Sequence, residues 1–150
     1  MDSQIKAFRK IHADQIVSYG MNDKLMEIDA GYKDNRLCNY TKSENGFTMF
    51  VDGKPVFAIG IVLLWQNVAE GWVLANQNVY EIKYLAAKTM KELTEEMCQR
   101  NKIKRLQTSV KAEFKLGIRF ATWLGLEIEG LKKNYGPDGS DYYQLARIFK

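Results

Sequence analysis

From Phe47 the hydrophobic residues fall on every second position. Phe47, Met49 and Val51 alternate with Thr48 and Phe50, Asp52-Gly53 supplies a turn, and the apolar run Pro55 to Leu64 returns, which predicts a β-hairpin. After Trp65-Gln66-Asn67 a third strand is expected over Val68 to Ala75, antiparallel to the second because the connection is so short. Ahead of this meander, apolar residues at Ala13, Ile16, Val17 and Met21 keep helical spacing and predict a first helix. Residues 22 to 45 are polar with short apolar positions such as Leu25 and Ile28, and read as one weak helix and then a polar loop ending in Ser43-Glu44-Asn45-Gly46.

Beyond the meander the period lengthens. Glu81 to Arg100 carries apolar residues at 82, 85, 86, 90, 93 and 97 with Lys and Glu opposite, a helix that covers one face of the sheet. Ile103 to Val110 follows as a strand, which the long helix allows to lie parallel to the Val68 strand. A helix over about Ala112 to Leu124 has two apolar stripes, Phe114, Ile118 and Ala121 on one and Leu116, Phe120 and Trp123 on the other, so it is expected to be buried more deeply than the Glu81 helix; Gly125 stops it. Leu126 to Leu131 and Tyr142 to Phe149 are expected strands around a turn-rich segment, Asn134 to Asp141. The predicted architecture is an α/β single domain, residues 1–150, with a mixed central sheet flanked by helices and no internal repeat or linker.

Composition narrows the class. The 150 residues are 46% hydrophobic and 27% charged, enough for one core, and 11 Gly, 2 Pro and 2 Cys exclude low-complexity and disulfide-scaffold classes. Cys38 and Cys98 lie far apart with no CxxC spacing, and one His cannot complete a metal site, so no metal and reduced, intracellular thiols are expected. That His, His12, is isolated in the first helix and reads as a surface or partly buried imidazole. No apolar segment follows the N-terminal MDSQIKAFRK, and the longest apolar run, Val56 to Trp65, is half the ~20 residues a membrane span needs. A cytoplasmic protein is expected.

The net charge of +4 suits anionic partners but does not indicate nucleic acid by itself. Its basic residues gather at Lys102, Lys104, Arg105, Lys111, Lys115 and Arg119, without visible aromatic interleaving, which disfavours nucleic acid. Trp65, Trp72 and Trp123 sit in runs that read as core or cleft wall.

The C-terminal third carries the most specific pattern. Ile103-Lys104-Arg105-Leu106-Gln107-Thr108-Ser109-Val110, a helix closing in Trp123-Leu124-Gly125-Leu126, then Glu127-Ile128-Glu129-Gly130-Leu131-Lys132-Lys133-Asn134-Tyr135 and Asp138-Gly139-Ser140-Asp141-Tyr142 resemble GCN5-related N-acetyltransferases (GNAT). The resemblance extends over residues 47 to 149 by element order and over 103 to 147 by motif. Within the family the chain is most similar to short acetyltransferase-like proteins of tailed bacteriophages, including internal virion proteins.

The resemblance implies acetyl-CoA as a substrate, held where the third and fourth strands splay apart, and an unknown amine as acceptor. The family's pyrophosphate loop, Arg/Gln-x-x-Gly-x-Gly/Ala, corresponds here to the glycine-free run Ala75-Asn76-Gln77-Asn78-Val79-Tyr80-Glu81-Ile82, in which Asn76 or Asn78 can cap a helix and Gln77 can begin a degenerate motif, and cofactor contacts are expected from Leu74 to Asn78. Lys115 and Arg119 border the region of the adenosine phosphate. Glu70 takes the place of the general base. The tyrosine that relatives use as proton donor is replaced by Ala121, with Tyr135, Tyr142 or Tyr143 as substitutes. The departures leave a second implied function beside the N-acetyltransferase, a catalytically inactive GNAT-fold component of a phage virion or of a host interaction, partnered by virion or host proteins and located in the host cytoplasm or the virion. The final hairpin also leaves an edge strand, which can pair with a second copy or be protected by Lys132 and Lys133.

Overall fold

The computed structural model describes residues 1–18, 27–28 and 37–150. Its centre is the expected meander: β3 (Gly46–Val51), β4 (Lys54–Trp65) and β5 (Val68–Ala75), following β1 (Ser3–Ala7), α1 (Lys10–Ser18) and β2 (Glu27–Ile28). Asp52 and Gly53 both adopt positive φ (50° and 79°), the two-residue turn whose twist matches an antiparallel pair. The chain continues through α2 (Lys83–Arg100), β6 (Arg105–Lys111), α3 (Lys115–Trp123), β7 (Glu127–Lys132) and β8 (Tyr142–Ile148). The eight described strands form one sheet in the order β1-β3-β4-β5-β6-β8-β7, with β2 added against β5. Among the described strands only β5 and β6 pair in parallel.

Two cores lie on opposite faces of this sheet. Phe57, Ile59 and Ile61 of β4 meet Met90 and Met97 of α2 and Leu145 of β8 on one side. Ala58, Trp72 and Leu74 meet Phe8, Ala13 and Ile16 on the other, with Cys38 beneath the short 3-10 turn Leu37–Tyr40. Because both faces are covered, β4 is buried continuously from Pro55 to Ile61 and loses its alternation. Neither cysteine is in a disulfide and both are buried, and burial pushes the Cys98 thiol up to about 12.

Four expectations are corrected. Strand β1 has no counterpart in the hydrophobic pattern: all five residues are exposed, and it is held by backbone pairing to β3 from Ser3↔Val51 to Ala7↔Phe47. Helix α1 begins at Lys10 rather than Ala13, and positions 19–21 of its predicted span lie outside the described residues. In the segment 22–45 read as one weak helix and then a polar loop, Glu27 and Ile28 form strand β2 instead, and positions 22–26 and 29–36 are likewise outside the described residues. Finally, α3 is not the more deeply buried helix. It rests on the sheet by one face, through Gly117, Phe120 and Ala121. Leu116 and Trp123 stay half exposed, and Lys91 of α2 covers the Trp123 ring at 4.2 Å.

His12 is buried, at 6% exposure, rather than at the surface or partly buried as expected. Its Nδ1 accepts from the Arg9 amide at 3.1 Å and lies 2.8 Å from the Thr48 hydroxyl, so Thr48 donates and the imidazole is neutral with its proton on Nε2. Burial first, then Arg9 and Lys6, hold its pKa below 6.5. Above pH 6.5 the ring is neutral in folded and unfolded chains alike; below it the unfolded chain takes up a proton that the folded site refuses, so stability is lost as pH falls. Urea midpoints measured between pH 7.5 and 5.5 are expected to decline, and the His12→Gln variant to show a flatter profile.

Candidate functional site

Strands β5 and β6 pair only at Val68↔Arg105, Ala69↔Leu106 and Glu70↔Gln107. The Thr108 hydroxyl closes one more step by donating to the Gly71 carbonyl at 3.0 Å. Beyond it β5 follows β4 to Ala75 while β6 follows β8 to Lys111↔Tyr142, so the sheet opens into a V. At the root is an apolar cleft of about 30 Å³, lined among others by Ile61, Gly71, Val73, Leu106, Thr108 and Ala121. That is room for about two water molecules or a group of two or three heavy atoms. Within the V the outer edge of β5 is partly taken: Leu74 pairs with Glu27 and Val73 with Ile28.

The turn leaving β5 is tightly engaged. Asn76 is fully buried; its Nδ2 donates to the carbonyls of Pro55 (2.9 Å) and Ile16 (3.3 Å), and its Oδ1 accepts the Asn78 amide at 3.0 Å. The amides of Asn76 and Val79 bond to the carbonyls of Val56 and Asn76. Three of the four successive amides 76–79 are thus engaged within the protein, and Asn76 is a cap that ties α1 and β4 to the 3-10 helix Gln77–Ile82. Gln77 is exposed, Asn78 half-buried, and Leu74 and Ala75 are buried in the two cores. Sequence reading missed that the α-helical N-terminus, with the positive end of its dipole, lies past this 3-10 helix at Lys83, where the first turn has no acidic residue and no side-chain cap. Exposed Tyr80 and Tyr84 flank it.

The basic cluster divides. Arg105 makes paired bonds to Glu129 at 2.6 and 3.0 Å, which hold the Glu129 carboxyl below its ordinary range. Lys111 binds Asp138 at 3.0 Å, and Asp138, which also accepts from Ser140, is held well below the usual carboxylate range. Lys115 and Arg119 stand exposed one turn apart on α3.

Alternation along β5 turns Glu70, with Trp72 and Leu74, away from α2 and α3. Half-buried Glu70 accepts from Gln107 Nε2 at 3.1 Å. Farther along this face Ser109 accepts from the Lys132 ammonium at 3.0 Å, and that ammonium sits 4.3 Å from the Tyr135 ring, which packs edge-on against Tyr142 at 5.4 Å. Gln107 and Ser109 are two residues apart, about 7 Å along the strand, so Glu70 and Tyr135 share the face without touching. Ala121 is buried in the cleft wall, and Tyr143 packs into the core on the α2 side. Trp72 is core; Trp65 and Trp123 are largely exposed. Among the described residues no group of three His, Cys, Asp or Glu is placed to hold a metal, and no helix is long and apolar enough to cross a membrane.

A mixed sheet that splays between its parallel strands, with the long helix between them, is the fold of the GNAT acetyltransferases. The chain is similar to a GNAT-family acetyltransferase from Streptococcus pneumoniae, with 16% identity and a TM-score of 0.73 over 99% of this chain and 100% of that one. It is also similar to Ard1 from Thermoplasma volcanium, with 15% identity and a TM-score of 0.73 over 100% and 99%. A third such structure is the ribosomal-protein-S18-alanine N-acetyltransferase from Escherichia coli, with 16% identity and a TM-score of 0.68 over 98% and 94%. No family model matches the chain, and no curated protein matches it.

Proposed function

We propose that residues 1–150 form a GNAT-like acyltransferase domain that moves acetyl from acetyl-CoA to an amine, the acceptor remaining unassigned. The observation that carries this reading is the V between β5 and β6, with an acetyl-sized apolar cleft at its root on the side of α2 and α3, and Glu70 at the same level of β5 on the opposite face of the sheet. In the reaction the amine nitrogen attacks the thioester carbonyl and its proton passes to Glu70, directly or through water. The new C–N bond forms, the C–S bond breaks, and the departing thiolate takes a proton from Tyr135 or from solvent. The backbone of Leu74 and Ala75 with Gln77 and Asn78 would line the arm of acetyl-CoA, and Lys115 and Arg119 would draw its phosphates. Holding both reactants in one geometry supplies the larger share of the acceleration. On this reading the protein works inside a cell, where acetyl-CoA is made and used.

A second reading is favoured by specific features: engaged amides at 76, 78 and 79, the occupied β5 edge at Val73 and Leu74, and Ala121 in place of a hydroxyl. On it the chain is a GNAT-fold protein without catalysis, serving a phage virion or a host interaction through its surface, and the exposed edge strand β7 offers a place for a second copy.

Thermal shift with acetyl-CoA and CoA separates the two. A bound ligand at a hundred times its Kd adds about 2.7 kcal/mol, a rise in Tm on the order of 5–10 °C for a domain of this size. The enzyme reading expects that rise, weakened in Lys115→Ala; no shift at millimolar ligand sinks it and leaves the non-catalytic one.

A further inference from the structure

Glu70 is the end of a chain of hydrogen bonds that begins on the far side of β6. Arg105 is clamped to Glu129 by two parallel N–H···O bonds, the rigid form of a guanidinium–carboxylate contact. The Nε–H of Arg105 donates to Gln107 Oε1 at 2.9 Å. That contact settles which way the amide faces: reversing it would set an NH2 group against the guanidinium. With its oxygen engaged, Gln107 presents only N–H groups to Glu70, its direct partner across the parallel pair, and donates to Oε1 at 3.1 Å. Glu70 therefore has to receive a hydrogen bond on that oxygen, and Oε2 is left without a partner among the described residues.

We propose that Gln107 is a positioning residue for Glu70, fixed in its role by Arg105 and Glu129. It holds one carboxylate oxygen so that the other is presented to the incoming amine or its water. The proposal rests on Glu70 serving as the base. Nothing in the sequence marks Gln107 for this task, since the contact exists only through the register of two strands separated by α2.

The test is a double-mutant cycle read by CoA release from acetyl-CoA, with spermidine and an alanine-first peptide as acceptors. Gln107→Leu is expected to lower kcat roughly tenfold, the effect of one hydrogen bond to a charged group, with KM for acetyl-CoA unchanged. In a Glu70→Gln background the same substitution is expected to cost nothing further. An equal loss in both backgrounds, or an unimpaired Gln107→Leu, overturns the positioning role while Glu70→Gln judges the base separately; a fully active Glu70→Gln removes both. A second measurement needs no turnover. In 15N spectra the Gln107 side-chain NH2 pair, assigned through Gln107→Leu, is expected to move in both Glu70→Gln and Arg105→Leu, and an unmoved pair overturns the proposal.

Discussion

Replacing Trp72 with alanine is expected to lower the unfolding free energy by about 4 kcal/mol and Tm by on the order of 10 °C, the largest stability effect of any single truncation in the smaller core. The indole is 1% exposed, stands edge-on to Phe8 with ring centroids 4.9 Å apart, and donates from Nε1 to the Thr41 hydroxyl at 2.6 Å. The cavity left behind cannot readily collapse, because the wall facing the ring is Gly60, where a Cβ would lie 2.5 Å from the indole and 2.8 Å from the Asn45 carbonyl. Gly60→Ala is accordingly expected to destabilise by overpacking, by about 1–3 kcal/mol, and Trp72→Phe to fall between wild type and Trp72→Ala because it keeps an aromatic ring but loses the bond to Thr41. Equilibrium urea unfolding checks all three. A Trp72→Ala loss below about 1.5 kcal/mol would mean that the core on the α1 side is not the close-packed layer described. On the proposed acetyltransferase reading the same residue also supports the site, since Trp72 is two residues from Glu70 on the same face of β5 and anchors the strand that carries it.

The sheet was legible wherever one physical rule decided the outcome. Alternation and the Asp52-Gly53 turn defined the β3–β4 pair, and the apolar positions 85, 86, 90, 93 and 97 of α2 left only one face to bury. Strand β1 was illegible because an exposed edge strand needs no hydrophobic pattern; Ser-Gln-Ile-Lys-Ala is held by backbone bonds that any sequence can make. The two stripes of α3 were visible, but which would be covered depends on the sheet beneath, and only three α3 residues are buried. The site divides in the same way. Glu70 was singled out as a base only through the family resemblance, whereas Asn76 was one of two candidate caps and is the one whose side chain accepts the Asn78 amide. The division of the basic cluster was not, because Glu129 and Asp138 reach Arg105 and Lys111 across strands and turns whose register composition does not express. Gln107 was hidden for the same reason.

On the proposed acetyltransferase reading, Glu70→Gln is expected to reduce kcat/KM for amine acetylation by roughly 10²–10³ while leaving acetyl-CoA binding and Tm unchanged. The substitution is nearly isosteric, and the amide oxygen of the new side chain can still accept from Gln107, so the face of the sheet keeps its bonds. What disappears is the capacity to take a proton. A primary amine with a pKa near 10 is almost wholly protonated at neutral pH, and the ammonium has no lone pair with which to attack the thioester; without a carboxylate only the small free-amine fraction reacts. Residual turnover in the variant should therefore climb with pH, about tenfold per unit until the amine titrates, whereas the wild-type rate should level off earlier. Rates measured from pH 6 to 9.5 with acetyl-CoA saturating distinguish this from damage to the site, because a misfolded or misaligned cleft lowers the rate by the same factor at every pH. A variant within twofold of wild type at pH 7 takes the base away from Glu70 and leaves proton removal to solvent, with proximity in the β5–β6 cleft as the whole of the catalysis.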